Sequence, residues 1–538
     1  MAVPLLRRRP SARGPALHVA TRAAPDPRLA AAALAGALLI GGLVGVVGLP
    51  VLALLGLVYL VFCVLYPAVG VAGLVTACAL DRLAVPVAGS NLRPDELAAL
   101  ALAAALTLRV LLPSDRLVRL RAINTSAGRR TRIRGSALLV AILLYWGAGV
   151  LSTATAQGDN VARGASLDLL SLDLVALFVA LTAWLTTPRR LLWAAKLWLS
   201  VATAEAVIGM AAFAWYLVAH GAVPGVQLAP DPPYQPLVYG TLYEGNIFGS
   251  YMSASFLLAL ALATEEGVRR KAPLYLVCAA TAVGLLISDT RSAWGATVLG
   301  AVILALLLQF GRGSKRARLA LRLIGGVALV VVVLGIGVAV LPASVTGALG
   351  DRVQGLLNFT SGSGYGRVQL YQQALGEWAA HPLLGLGPGS FTYRLPGDTS
   401  TGPAWLPNLT LQALHDTGLI GVAALFGLFA VFYVASLRAL RLAPPGPERT
   451  VLAGVIAAVT ALLISFQLTP GFSLGYSWAL LAFGSAATAV ARSLAVPGNN
   501  ASRRPSGARS LPLAAPPLAT LGRDVRRAPL SDRGAGRR

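Results

Sequence analysis

The sequence predicts an all-α, polytopic membrane protein of about 12–14 transmembrane helices, with one large external loop containing short helices. Three observations predict it. Of the 538 residues, 56% are hydrophobic and 12% are charged, whereas soluble domains carry about a quarter charged residues. Apolar runs of membrane-spanning length recur from Leu29 to Leu494. A single long polar interval, 342–408, interrupts them.

The apolar segments run 29–48, 51–66, 67–80, 94–112, 135–156, 165–187, 190–218, 241–264, 272–288, 292–310, 320–341, 409–437, 450–469 and 473–494. The pair at 51–66 and 67–80 is short for two full spans and reads either as two short helices or as one bent helix. The first run follows an Arg-rich segment and is followed at once by others, which argues against a cleaved signal peptide. Five units result. A disordered basic tail at 1–28 precedes a transmembrane bundle at 29–341. The external loop at 342–408 leads into C-terminal transmembrane helices at 409–494. A second tail at 495–538, rich in Pro, Arg, Ser and Gly, ends the chain.

The net charge of +24 does not point to nucleic acid. A nucleic-acid footprint is a basic patch on one folded face. Here the basic residues sit in the tails and in alternate short loops, at Arg116–Arg134, Arg189–Lys196, Arg269–Lys271, Arg312–Arg322 and Arg438–Arg449. Two apolar segments separate each mark from the next. The positive-inside rule then places both termini in the cytoplasm and 342–408 outside, with the turns at 157–164, 219–240, 289–291 and 470–472. A multi-pass protein of the plasma membrane is expected. Cys63, Cys78 and Cys278 lie inside apolar runs without CxxC spacing, and read as buried free thiols.

Ionisable groups near membrane depth are costly and require a reason. Arg291, in Asp289-Thr290-Arg291-Ser292-Ala293-Trp294, opens a helix at an outer turn. Free backbone N–H groups there favour an anion, and a guanidinium adds a fork suited to phosphate oxygens. The plainer reading pairs Arg291 with Asp289 or lets it snorkel. Glu244 and Asn246 open another span and suit either a sugar or cation ligand, or a helix cap. In the long loop Arg367 opens a helical pattern, with Tyr371, Ala374 and Trp378 on one face, ended by His381-Pro382. That face suits a phosphate or sugar ligand, or an amphipathic helix lying on the bilayer. Gly385, Gly387 and Gly389 permit a tight turn whose N–H groups could form an anion nest. His415 and Asp416 offer either a base or a satisfied interfacial histidine, and adjacent helical residues are not automatically a dyad. No Asp-x-Asp pair, metal-ligand spacing or Gly-x-Ser-x-Gly elbow is present.

Four places together resemble the O-antigen ligase and polymerase family of bacterial envelope glycosyltransferases. They are Tyr243 to Ser250, Thr290 to Trp294, Gly364 to Phe391, and Asn408 to Gly421. The last two, in this order on one loop, are the specific part. The resemblance implies transfer of a glycan from an undecaprenyl-diphosphate carrier to an acceptor hydroxyl outside the plasma membrane, with inversion and without metal or other cofactor. Its partners would be that donor, a glycan or lipid acceptor, and membrane lipid, with no nucleic acid. Arg291 and Arg367 would hold and neutralise the diphosphate, with His415 as the third catalytic candidate. Asn246, Glu244, Tyr371, Asn408 and His381 would bind substrate. Many ligases of the family carry His directly before the Asn of the last block. Pro407 stands there in this chain, and proline can neither take a proton nor hold a hydroxyl. The alternatives are a polysaccharide polymerase, or a polysaccharide or lipid transporter without transfer chemistry.

Overall fold

The computed structural model describes residues 49–83, 85–87, 90–111, 137–219, 223–228, 236–265, 271–309, 362–395 and 405–495. The tails, the apolar runs at 29–48 and 320–341, the basic loop at 116–134, Arg269, Arg270, the basic cluster Arg312–Arg322 and the start of the loop at 342–361 lie outside the described residues. The helices are α1 (Leu49–Leu65), α2 (Pro67–Ala77), α3 (Pro94–Leu111), α4 (Ala137–Thr155), α5 (Asp159–Trp184), α6 (Pro188–Ala219), α7 (Gly245–Ala263), α8 (Ala272–Ile287), α9 (Arg291–Gln309), α10 (Gly362–Trp378), α11 (Leu409–Leu442), α12 (Pro447–Ser465) and α13 (Gly475–Ala495). Among the described residues, eight are long and apolar enough to cross a membrane: α4, α5, α6, α7, α9, α11, α12 and α13.

The protein is thus an all-α polytopic membrane protein. The only strands among the described residues form two antiparallel ribbons, Val85–Val87 with Ser90–Leu92 and Val226–Leu228 with Pro236–Val238. The short apolar pair resolves into two helices rather than one bent helix. Pro67 starts α2, and α1 and α2 run antiparallel, with Gly70 against Cys63 and Gly73 against Tyr59. The Tyr59 hydroxyl donates to the Gly70 carbonyl at 2.8 Å.

The centre of the bundle is α7, buried along almost its whole length against α8, α9 and α12. Small residues allow this approach, as expected where van der Waals packing drives helix association. A Cβ on Gly300 of α9 would stand 2.5 Å from Leu257, and one on Gly454 of α12 would stand 2.8 Å from Ala261. Buried hydroxyls find partners across these contacts. The Thr297 hydroxyl reaches Ser253 Oγ at 2.6 Å, and the Trp198 indole donates to Ser255 Oγ at 3.0 Å.

The starts of α3, α7, α9, α11 and α13 and the ends of α8 and α12 gather at one end of the bundle. There Arg93 lies 2.7 Å from Glu96 and 3.5 Å from Asp95. Asp95 accepts from the Gly475 N–H at 3.1 Å, and Arg93 donates to the Ser473 carbonyl at 3.1 Å. This buried group locks the first turn of α3 to the first turn of α13. The two carboxylates also lie where the positive end of the α3 dipole favours them. Arg189, Arg190, Lys271, Arg438, Arg441 and Arg449 fall toward the opposite end, between or near the other helix termini.

Candidate functional site

The turn after α12 organises the end of the bundle where the motifs lie. Ser465 Oγ is 2.8 Å from Ser250 Oγ of α7 and 3.4 Å from Ser292 Oγ of α9. The Phe466 carbonyl accepts from Leu409 N–H at 2.8 Å. The Gln467 carbonyl accepts from the Asn408 amide at 3.0 Å, and Gln467 Oε1 accepts from Thr410 at 2.9 Å. Tyr371 of α10 donates to the Pro407 carbonyl at 3.0 Å, with the Gln467 carbonyl at 3.4 Å. Thr469 Oγ1 stands 3.5 Å from Glu244 Oε1. Residues 465–469 therefore join all four sequence blocks. Nothing in the sequence marked this turn, because Ser, Gln and Thr at helix ends are ordinary.

Arg291 is the first residue of α9 and is half-buried. Its turn is fixed by the Thr290 hydroxyl, which donates to the Gly245 carbonyl at 2.9 Å. Asp289 takes φ +54°, the left-handed region, which non-glycine residues seldom adopt. Arg367 lies in the second turn of α10, half-buried. Its guanidinium has no hydrogen-bond or ion-pair partner among the described residues, but its charge reaches both Glu244 and Tyr371. Burial pushes the Glu244 carboxyl above its ordinary range, while Asn246, Thr469 and Arg367 pull it back. Burial likewise raises the Tyr371 phenol, and Arg367 opposes it.

Asn408 caps α11: its Oδ1 accepts from the Leu411 N–H at 2.8 Å, while its amide holds Gln467. Glu244 occupies the equivalent position before α7 but makes no cap bond. Its carboxylate instead faces the Asn246 amide at 3.4 Å and Thr469. Of the two sequence readings of Glu244, ligand or cap, the capping one is removed.

The glycine run does not form an anion nest. Gly385, Gly387 and Gly389 have φ of +71°, +101° and +71°, yet the N–H groups of Leu386 and Gly387 are spent on the carbonyls of His415 and Asp416, both at 3.0 Å. They dock on a break in α11 at Gly418 (φ +62°, ψ −162°). Beyond the break, Leu419 and Ile420 donate to the carbonyls of Pro382 and Leu383 at 3.0 and 3.2 Å. The run thus satisfies backbone groups that the interrupted helix leaves open. Contact is close: a Cβ on Gly418 would stand 2.3 Å from the Leu383 backbone.

His415 is fully buried. Its Nδ1 lies 3.0 Å from Asp416 Oδ1 and its Nε2 2.9 Å from Glu377 Oε2. The Phe391 ring stands edge-on to it at 5.3 Å. The pair does make contact, although adjacent helical residues seldom do. Glu377 lines an open hollow of about 470 Å³ with Gln373 and Tyr393. Asp416 lines a second, about 290 Å³, with Gln412 and Trp405. His415 bridges the two by hydrogen bonds. Glu377 is ten residues from Arg367, about 15 Å along α10. His415 is therefore turned toward Glu377, not toward Arg367, and both its nitrogens are engaged. His381 is exposed beyond the far end of α10, where its N–H donates to the Trp378 carbonyl at 2.8 Å.

The structure therefore brings Arg367, Tyr371, Glu244, Asn246 and Asn408 together around residues 465–469, with Arg291 on the adjoining turn. His415 and His381 belong to the other end of α10.

No curated protein matches the chain. A family model described as O-antigen ligase matches residues 276–426, a range that holds Arg291, Arg367, Tyr371, His381, Asn408 and His415 but stops short of the 465–469 turn. That match falls on the stretch that carries the two most specific sequence blocks, and it supports an O-antigen ligase family assignment.

Proposed function

We propose that the protein transfers an oligosaccharide or polysaccharide from an undecaprenyl-diphosphate carrier to an acceptor hydroxyl at the outer face of the plasma membrane. Glycan transfer is the chemistry of the family. The finer reading rests on one observation above all: Arg367, its guanidinium without a protein partner among the described residues, stands with Tyr371, Asn408 and Glu244 around the 465–469 turn, beside the turn that carries Arg291.

Two guanidiniums at such a place suit a diphosphate. Arg291 would bring its guanidinium to the start of α9, where the positive end of the helix dipole favours an anion. Arg367 would supply a planar fork from α10. The acceptor oxygen forms a bond to the anomeric carbon as the bond to the diphosphate oxygen breaks. The electron pair leaves on the carrier diphosphate, where both arginines stabilise it as charge develops. Attack opposite the leaving group inverts the anomeric centre. A diphosphate already activated and neutralised in this way needs no metal. Placing the basic helix ends in the cytoplasm puts this site outside. The loop at 342–408 then forms the catalytic unit, with both termini cytoplasmic.

Deletion of the gene tests the reading in cells. The surface glycan should disappear, with the lipid-linked precursor accumulating on the outer leaflet. The wild-type gene should restore the glycan and Arg367→Ala should not. Precursor trapped on the inner leaflet would instead support a transporter. A surface glycan unchanged by deletion would overturn transfer.

A further inference from the structure

We infer that Glu244 is the base that takes the proton from the acceptor hydroxyl, the part that Pro407 cannot play. The inference rests on the transfer reading above and names a further residue of that site.

Position explains the need. The Pro407 carbonyl accepts from Tyr371, so residue 407 lies beside the Arg367 helix, within the group. A side chain able to take a proton is required close by, and proline offers none. His415 is excluded by its two engaged nitrogens and its full burial. Glu377 and Asp416 are the carboxylates that engage it, about 10 Å or more along their helices from Arg367 and Asn408.

Glu244 meets the geometric demands. It stands at the position of a helix cap and does not cap, so its carboxylate is held for another purpose. Two donors from separate elements orient it: Asn246 at 3.4 Å and Thr469 at 3.5 Å. It keeps part of its surface exposed. It lies in the field of Arg367 without forming an ion pair with it. In an inverting displacement the base and the diphosphate clamp flank the anomeric carbon from opposite sides. They must be neighbours without touching, as the wide carboxyl separation of inverting glycosidases also requires. The groups around Glu244 are Asn246 on α7, Arg367 on α10, Thr469 after α12 and Tyr476 on α13. Arg367 is the one charged side chain of this set. Burial has already moved the carboxyl toward the working pH, where a general base is most effective. A bound diphosphate would move it further in the same direction.

The step balances. The acceptor O–H proton passes to Glu244. The acceptor oxygen bonds to the anomeric carbon, and the electron pair departs with the carrier diphosphate. Solvent then removes the proton from the neutral carboxyl.

The experiment uses the full chain in lipid nanodiscs with an undecaprenyl-diphosphate oligosaccharide and an acceptor that the wild type uses. Glu244→Gln should lower kcat by about 10²- to 10⁴-fold, with donor affinity within about threefold of wild type, and should abolish the acid limb of the pH–rate profile. Glu244→Asp should recover part of the rate. Thr469→Val and Asn246→Ala keep the carboxylate but remove a donor to its charged form. Each should shift the acid limb to higher pH, which answers the case of a Glu244→Gln protein that does not fold. A Glu244→Gln enzyme within about threefold of wild-type kcat, or an acid limb unmoved in all these variants, would overturn the assignment while leaving the transfer reading standing. A wild type that binds the donor and transfers to no acceptor would overturn the transfer reading itself.

Discussion

The Asn408 amide donates to the Gln467 carbonyl at 3.0 Å, and through that bond the start of α11 is tied to the turn that follows α12. The same side chain caps α11 through Leu411. Its two functions can be separated. Asn408→Ala should cost about 1 kcal/mol or more of stability through the lost cap, together with most of the transfer activity. Asn408→Asp keeps an acceptor for Leu411 but turns an oxygen toward the Gln467 carbonyl. Thermal unfolding in detergent should show part of the stability recovered, while transfer stays low. Full activity in Asn408→Asp would show that the tie to Gln467 is dispensable.

The break in α11 makes a second expectation. Gly418 has φ +62° and faces the Leu383 backbone, so Gly418→Ala incurs both the left-handed penalty and a clash with atoms that cannot swing away. A loss of at least ~2 kcal/mol is expected. Gly427, on the same helix, has open space where a Cβ would go. Gly427→Ala should be neutral or stabilising by up to about 1 kcal/mol. Unfolding curves for the pair check this, and equal effects would contradict the backbone account.

With Asp416 and Glu377 on its two nitrogens, His415 is expected to position α10 on α11 instead of moving a proton. His415→Gln keeps a donor for one carboxylate and strands the other. It should lower the unfolding midpoint yet reduce kcat by less than about tenfold, against the 10²- to 10⁴-fold loss typical of a missing acid or base. Single-turnover rates distinguish the two.

Glu244 predicts a pH dependence of stability. Its folded-state pKa is raised by burial, so between the ordinary carboxylate range and the raised value the folded protein holds more protons than the unfolded one. Stability from this group is present at low pH and falls as pH rises through that window. Glu244→Gln cannot ionise. It should therefore be more stable than wild type at pH 7.5, with the advantage shrinking toward pH 4, as thermal unfolding at several pH values would reveal. An advantage that grew on acidification would contradict a raised pKa.

The bundle was largely legible in the sequence because membrane spans are written as apolar length. The run at 272–288 is α8 to within a residue, and 190–218 is α6 to within two. The break at Gly418 was not legible. Its partners, Pro382 and Leu383, come from more than thirty residues away. Arg93, Asp95 and Glu96 passed for the edge of a span because Ser473 and Gly475, to which Arg93 and Asp95 bond, are remote in sequence. Within the site, Arg291, Arg367, Tyr371 and Asn408 could be singled out as residue types suited to phosphate and sugar. Their common anchor at 465–469 could not, since it works through two backbone carbonyls, which carry no side-chain signature, and through Ser465, Gln467 and Thr469, which are ordinary at a helix end.

The central claim is that Arg291 and Arg367 jointly stabilise a departing carrier diphosphate. The most direct measurement is transfer by the full chain in nanodiscs, following release of undecaprenyl diphosphate, for wild type, Arg291→Ala, Arg367→Ala and the double variant. Each single variant should lose about 10²- to 10³-fold in kcat. The double variant should lose less than the product of the two, because both act on one charge. Wild-type rates in either single variant, or glycan movement across the bilayer without release of the carrier, would contradict the account.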